Sequence, residues 1–201
     1  MKRLAIDVVL LPPDPVMDMA LAWNRTLLKN GPQIIVLDKN RRIPHVSMVM
    51  GCLASENLQR AISMLQAVSV SHHVMKLNVS RISNAKTASG TVASFDIELS
   101  QEVLRLHESI VTAFTPLLTQ DTTQADLNDR PPIEPSAIEW INNYISDHCY
   151  DRFWPHITLG FGNSPNDLAP FTFQASRLAI CHLGNYCTCT KILTETVLRP
   201  L

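Results

Sequence analysis

Residues 43–51 read IPHVSMVMG, and residues 154–162 read WPHITLGFG. Both segments contain the pattern Pro-His-apolar-(Ser/Thr)-apolar, in two distant parts of the chain. Because successive side chains of a β-strand point to opposite faces, such a strand places its histidine and its hydroxyl on one face and its aliphatic side chains on the other. Each segment is therefore predicted to be a strand that offers half of an acid–base site.

The candidate catalytic residues are the two histidines of this pattern, His45 and His156, and each has a hydroxyl neighbour, Ser47 or Thr158. An imidazole is available in either protonation state near neutral pH, so two of them can divide the roles of general base and general acid. The alternative is structural. Both segments would then be ordinary buried strands whose histidines form hydrogen bonds in the core.

Charge and hydropathy exclude several classes of partner. The 201 residues contain 17 Lys and Arg and 18 Asp and Glu, which gives a formal net charge of -1. This balance does not predict the broad basic surface that binds duplex nucleic acid through many phosphates. No apolar run approaches the roughly 18 residues of a membrane-spanning helix, and the N-terminus has no signal-peptide pattern. We expect a cytoplasmic protein without a membrane partner, and the oligomeric state stays open.

The cysteines do not indicate a disulfide framework or a metal site. Their number is odd, and their spacing matches neither a zinc pattern nor a disulfide scaffold: Cys52, Cys149, Cys181, Cys187 and Cys189. In an intracellular chain reduced thiols are expected, here as small buried apolar side chains. The sequence predicts no metal and no cofactor.

Hydrophobic periodicity predicts alternating strands and helices. Strands are expected at 4–11, 75–82, 91–99, 171–182 and 186–198, with turns at 83–84 and 89–90. Helices are expected at 14–30 with Asp14 as N-cap, around 58–65, from Ser100 to about 117, and after a capping box at 136–139. The polar stretch 119–135 is expected to be a surface loop between two lobes of one domain, 1–201. The order of elements is partly repeated, which indicates a pseudo-duplicated α+β fold.

These features resemble the 2H phosphoesterase superfamily, which includes the 2′-5′ RNA ligase-like proteins and the cyclic nucleotide phosphodiesterases. The resemblance is carried by the two motifs at 45–48 and 156–159, the opening strand 6–12, the helix around 106–107 and the closing strands around 183–186. It covers nearly the whole chain, although only the motifs are specific. It implies a bilobal fold in which antiparallel sheets line a central cleft, with helices outside and one motif strand from each lobe.

The resemblance also implies a reaction. His45 and His156 would transfer protons on the two sides of a 2′,3′-cyclic phosphate or a 2′-5′ linkage, in an RNA end or a small nucleotide, without a metal. Ser47 and Thr158 would bind the phosphate oxygens. The first motif departs from the family pattern by having serine in place of threonine, which keeps the hydroxyl but loses the β-branch that restricts its rotamer.

Other polar residues are weaker candidates for substrate contacts. The positions beside the motifs or in the last strand that could reach a phosphate or a base are Arg41, Arg42, Arg152, Tyr186 and Lys191. Two other functions remain open. The first is a catalytically silent nucleotide- or RNA-binding module that retains the cleft, and the second is a reversible 2′-5′ RNA ligase that uses the same site.

Overall fold

The computed structural model describes residues 2–165 and 168–201. These ranges contain four α-helices: α1 (Asp14–Asn30), α2 (Leu58–Ser71), α3 (Gln101–Phe114) and α4 (Pro135–His148). The strands are β1 (Arg3–Leu11), β2 (Val46–Ala54), β3 (Met75–Thr87), β4 (Gly90–Ile97), β5 (Leu118–Thr119), β6 (His156–Phe161), β7 (Phe171–Ala175), β8 (Arg177–Leu183) and β9 (Cys189–Val197).

The strands form two antiparallel sheets, each of which contains one motif strand. The first sheet has the order β5-β2-β1-β8-β9, and the second has the order β6-β4-β3-β7. The first motif strand, β2, is interior to its sheet, whereas the second, β6, lies at the edge of the other. The expected α+β fold built on antiparallel sheets is confirmed.

β1 is the central strand of the first sheet, and eight of its nine residues are buried. Its even-numbered apolar residues from Leu4 to Leu10 belong to the main core, while Val9 and Leu11 belong to a separate cluster with Ile43. Since side chains alternate along a strand, Asp7 lies on the same face as Val9 and Leu11.

Two helix starts differ in detail from the sequence prediction. α1 begins at Asp14 itself with Pro13 as N-cap, one residue earlier than expected. The predicted capping box at 136–139 is wrong, because α4 begins at Pro135 and Ser136 Oγ bonds instead to Ser89 Oγ at 2.8 Å. The helix expected from Ser100 is present as α3, and the structure shows that Ser100 is its N-cap, since Ser100 Oγ accepts a hydrogen bond from the backbone N–H of Val103.

Two strand boundaries also differ from the prediction, and cross-strand pairing explains both. The turn expected at 83–84 is absent, because these residues pair with Ser94 and Ala93 and β3 continues to Thr87. The single strand expected over 171–182 is two strands in different sheets, separated at Ser176. Local turn propensity and apolar content do not determine which sheet a segment joins.

The expectation of reduced cysteines is wrong for one pair. Cys181 and Cys189 form a disulfide between β8 and β9, with their Cα atoms 5.5 Å apart. The antiparallel pairing places Leu183 opposite Cys189, and irregular register nearby brings Cys181 within reach. The spacing of eight residues gave no sign of this pairing because the bond depends on strand register. Cys52, Cys149 and Cys187 are free thiols.

In the described ranges, no helix combines the length and the apolar character that a bilayer crossing requires.

Candidate active site

Both motif strands contribute to one cavity. It has a volume of about 550 Å³, and residues from both sheets and from α4 line it. His45, Ser47, His156 and Thr158 are all among the lining residues. A volume of this size lies within the range typical of small-molecule sites. The structure thus brings together the four residues that the sequence pattern singled out.

The first motif shows the side-chain alternation expected of a strand. Val46 and Met48 are buried, whereas the side chain of Ser47 is only partly covered and reaches the cavity. His45 precedes β2 directly, and its Nδ1 lies 2.6 Å from the Ile43 carbonyl oxygen. Because a carbonyl can only accept, Nδ1 carries the proton of the neutral ring and Nε2 is the basic nitrogen.

The second motif repeats this local geometry. His156 begins β6, and its Nδ1 lies 2.9 Å from the carbonyl oxygen of Trp154, again two residues earlier and across a proline. Its ring also stacks on the Trp154 indole, with centroids 4.3 Å apart. Nε2 is again the free basic nitrogen. Both imidazoles are therefore held in the same tautomer by their own backbone.

The first motif lies beside a buried carboxyl group that sequence reasoning did not assign to the site. Ser47 Oγ is 2.6 Å from Asp7 Oδ2, and His45 Nε2 is 3.5 Å from the same oxygen. Asp7 is 0% exposed, and its Oδ1 has no hydrogen-bond partner among the described residues. Burial raises the pKa of Asp7 well above its ordinary value and outweighs the hydrogen bond from Ser47, so the neutral acid is favoured. In the sequence, the only sign of this group was a single aspartate within the otherwise apolar predicted strand 4–11.

The second motif also lies beside an aspartate, in a different environment. Asp96 is directly opposite His156 in the β4–β6 pairing. Its carboxylate accepts hydrogen bonds from Arg81 Nε at 2.8 Å and from Ser83 Oγ at 2.6 Å. Arg81 is 64% exposed, so the ion pair reaches solvent. Arg81 therefore compensates the negative charge of Asp96.

Burial lowers the pKa of both histidines. The pKa of His45 falls to about 4, mainly through burial, and repulsion from His156 contributes. Burial also lowers the pKa of His156, but the hydrogen bond to Trp154 and the charge of Asp96 oppose that decrease. At neutral pH His45 is a free base. His156 has a neighbouring negative charge that favours its protonated form.

Three of the weaker sequence candidates line the cavity and two do not. Arg42, Arg152 and Tyr186 are lining residues. Arg41 lies in a neighbouring recess, where it pairs with Asp129. Lys191 lies on β9 opposite His182 and is exposed, outside the lining of the cavity.

The cavity wall also contains aromatic side chains that the sequence analysis did not identify as site residues. Trp140 and Trp154 are 37% and 41% exposed, and Tyr144 hydroxyl lies 3.4 Å from the Ser47 carbonyl oxygen. Trp140 stacks on His148 with centroids 3.8 Å apart. Large exposed indoles beside a cavity are typical surfaces for stacking a planar ligand.

Within the described ranges, no three His, Cys, Asp or Glu side chains come together as a set that could hold a metal ion. The absence of a metal requirement stays a prediction that needs an assay.

Comparison with known proteins gives one family and one fold. Residues 28–180 match the family model of the 2′-5′ RNA ligase superfamily. No curated protein matches the chain in sequence. The structure is similar to that of the protein TT0787 of Thermus thermophilus, with 13% identity, a TM-score of 0.60 and 98% of each chain covered.

The structure is also similar to two complexes of Escherichia coli LigT. For the complex with NADP+ the identity is 13% and the TM-score 0.58, with 98% of this chain and 99% of LigT covered. For the complex with ATP the identity is 10% and the TM-score 0.60, with 99% of each chain covered. At these identities the similarity establishes a shared fold.

Proposed function

Because the chain belongs to the 2′-5′ RNA ligase superfamily, we propose that it is a metal-independent phosphodiesterase. Its substrates are a 2′,3′-cyclic phosphate or a 2′-5′ linkage in small nucleotides or RNA ends. One observation carries the proposal. His45 and His156 line the same cavity, and each ring is fixed through Nδ1, so that Nε2 is left to exchange a proton.

The two carboxyl groups support a division of roles between the histidines. His45 lies beside Asp7, for which burial favours the neutral acid, and the pKa of His45 is about 4, so this ring acts as general base. His156 lies beside the carboxylate of Asp96, which opposes the decrease in its pKa, so this ring acts as general acid. Substrate phosphate adds a further negative charge, which raises the pKa of a nearby imidazole.

In hydrolysis of a 2′,3′-cyclic phosphate, the His45 Nε2 takes a proton from water as the water oxygen bonds to phosphorus. The bond from phosphorus to one ribose oxygen breaks, and that oxygen receives a proton from His156. The products are a phosphate monoester and a free ribose hydroxyl. Ligation uses the same steps with a ribose 5′-hydroxyl in place of water: its oxygen gives a proton to His45 and bonds to phosphorus, the bond from phosphorus to one ring oxygen breaks, and that oxygen receives a proton from His156, which leaves a phosphodiester.

The hydroxyl groups of the motifs stabilise the charge that develops on the phosphate. Ser47 has a single hydroxyl proton, and an ionised Asp7 would take it as a hydrogen bond. In the structure the Ser47 hydroxyl donates to Asp7 Oδ2 at 2.6 Å, and a neutral Asp7 holds that proton less strongly than a carboxylate would, because hydrogen bonds to an ionised acceptor are stronger. Ser47 can then turn its hydroxyl to a phosphate oxygen, as can Thr158, whose hydroxyl has no hydrogen-bond partner among the described residues. Burial of Asp7 therefore keeps Ser47 a donor toward the substrate.

The aromatic wall supports a nucleoside substrate. Trp140, Trp154 and Tyr186 line the cavity that also contains the histidines. Stacking of a base on an aromatic side chain contributes about 1–3 kcal/mol and tolerates any base. A cavity of about 550 Å³ can enclose one nucleotide rather than a long segment of RNA.

A substrate screen tests the proposal. The purified protein is incubated with each 2′,3′-cyclic mononucleotide, with 2′-5′ dinucleotides and with oligonucleotides that end in a 2′,3′-cyclic phosphate, with and without a chelator. We expect hydrolysis in at least one class, unchanged by the chelator and lost in His45→Ala. Activity that requires added metal would overturn the mechanism. Nucleotide binding without turnover in any class would identify a silent binding module, and end joining without hydrolysis would identify a ligase.

A further inference from the structure

A small polar recess adjoins the candidate active site. Its volume is about 410 Å³, and its lining residues are Arg41, Arg42, Asp129, Arg130 and Asn185. Arg42 also lines the larger cavity with the histidines, so the two spaces adjoin at this residue. The recess lies where the segment before the first motif meets two loops, one from the stretch 119–135 and one between β8 and β9.

The recess has an excess of positive charge. Its one carboxylate, Asp129, is already occupied: Arg41 Nη2 lies 2.6 Å from Oδ1, and the backbone N–H of Asn185 donates to Oδ2 at 2.9 Å. In the ranges 2–165 and 168–201, neither Arg42 nor Arg130 has a carboxylate within ion-pair distance. Three guanidinium groups against one carboxylate leave two positive charges without a partner.

The backbone holds this arrangement in place. Arg42 has φ 62°, a conformation that residues other than glycine adopt at an energetic cost and that is frequent at functional sites. Asp38 fixes the preceding turn, because its Oδ1 accepts the backbone N–H of Asn40 at 2.6 Å. On the other side, Asn185 Oδ1 accepts the backbone N–H of Glu134 at 2.9 Å and joins the two loops. The unpaired guanidinium of Arg42 thus extends from a fixed turn.

We propose that this recess binds a second phosphate of the nucleotide whose reacting phosphate lies between His45 and His156. Guanidinium groups bind phosphate through paired, charge-assisted hydrogen bonds, so Arg42 and Arg130 provide the contacts. Arg41 has a supporting role, because it neutralises Asp129, whose charge would otherwise repel the phosphate. The inference rests on the proposed function and deepens it, since it assigns a substrate with a phosphate or pyrophosphate at the 5′ position.

The chain geometry is compatible with one nucleotide that spans both sites. Only two residues separate Arg42 from His45, so their Cα atoms are at most about 11 Å apart. Arg42 itself lines both spaces. A ribose that carries phosphates at both ends can bridge such a distance, with its base beside the aromatic wall.

The kinetic test compares two substrates that differ by one phosphate. Adenosine 2′,3′-cyclic phosphate and its 5′-phosphorylated form are assayed with the wild type, Arg130→Gln, Arg41→Gln and Arg60→Gln. Arg60 is exposed on α2 and serves as a control for the loss of one positive charge. We expect the 5′-phosphate to lower KM about tenfold in the wild type and in Arg60→Gln. The advantage should fall to less than about threefold in Arg130→Gln and Arg41→Gln, with the KM for the unphosphorylated substrate unchanged in Arg130→Gln.

A binding measurement separates this inference from the proposed function. Calorimetry compares adenosine 3′-phosphate with adenosine 3′,5′-bisphosphate on the same four proteins, without any turnover. Tighter binding of the bisphosphate that depends on Arg130 supports the recess even if no substrate is hydrolysed, in which case only the proposed function fails. Equal binding of both compounds to the wild type, or a preference that Arg130→Gln retains, overturns the recess as a phosphate site whatever the kinetics show.

Discussion

The two motif strands share one sequence pattern, yet the carboxyl groups beside them differ in environment. Asp7, beside His45 and Ser47, is fully buried, and among the described residues no Lys or Arg side chain lies within ion-pair distance of it; its one nearby titratable base is His45, with Nε2 at 3.5 Å. Asp96, opposite His156, is bound by the solvent-exposed guanidinium of Arg81. The first motif thus lies in a neutral environment and the second beside a compensated negative charge.

A repeated motif therefore does not imply repeated protonation states. The local geometry of each histidine is the same, because its Nδ1 bonds to a backbone carbonyl two residues earlier. The carboxyl groups that make the two environments different belong to neighbouring strands, Asp7 to β1 in one sheet and Asp96 to β4 in the other. A site built from two similar halves can therefore divide acid and base roles between them.

The largest expected effect tests whether the two halves act as one unit. His45→Ala or His156→Ala should each lower turnover by about 10²-fold or more, since each removes a proton-transfer group. The double variant should lower turnover little further than the more damaging of the two single variants. Turnover and thermal unfolding are measured together. Variants that unfold but retain specific activity in the folded fraction would show that the histidines are core residues.

Removal of the motif hydroxyl groups should have the next largest effect on turnover. The two variants should also differ in their effect on stability. Ser47→Ala and Thr158→Ala each remove a hydrogen bond to a charged phosphate, worth roughly 1.5–3 kcal/mol, or about 10- to 10²-fold in turnover. Ser47→Ala also leaves Asp7 without its side-chain partner, which we expect to destabilise the fold by about 1–3 kcal/mol.

Thr158→Ala is the matched control, because its hydroxyl has no hydrogen-bond partner among the described side chains. Its midpoint in urea should match that of the wild type. Equal stability loss in both variants would contradict the assigned contact between Ser47 and Asp7.

The pH profile should distinguish the two carboxyl groups. In Asp96→Asn the negative charge that raises the pKa of His156 is lost. The general acid is then deprotonated at lower pH, so the alkaline limb of kcat/KM should move to lower pH and activity at neutral pH should fall by up to about tenfold. The acid limb, set by His45 with a pKa of about 4, should stay in place.

Asp7→Asn is the matched variant in the other half. A neutral Asp7 carries no charge to remove, so both limbs of the pH profile should stay where they are. A larger shift in Asp7→Asn than in Asp96→Asn would mean that Asp7 is ionised in the working enzyme and that the roles of the two histidines are reversed.

The smallest expected effect concerns stability. The pKa of Asp7 is raised in the folded protein, so its contribution to stability is present below the unfolded pKa of about 3.9 and is lost as pH rises above it. An asparagine at position 7 does not ionise, so the Asp7→Asn variant does not lose this stability as pH rises. Asp7→Asn should therefore have a Tm a few degrees above the wild type at neutral pH, since about 1 kcal/mol corresponds to about 2–4 °C in a domain of this size. The difference should vanish near pH 4, and a constant difference across pH would contradict the raised pKa.

Much of the architecture could be predicted because its signals are local. The start of α3 near Ser100 and the alternation along 46–48 depend on residues a few positions apart. The errors share another origin. The capping box at 136–139, the uninterrupted strand over 171–182 and the reduced state of Cys181 each depended on a contact with a distant segment.

The paired motifs, their strand character and the family to which they point are readable from local sequence, since period-two alternation and hydrogen bonds to nearby backbone involve residues only a few positions apart. The folded chain, in contrast, was needed to show which carboxyl group lies beside each histidine, where the recess lined by Arg41, Arg42 and Arg130 forms and which cysteines pair. These features depend on strand register and burial between segments remote in the chain. Burial and register also set the electrostatic environment that distinguishes His45 from His156.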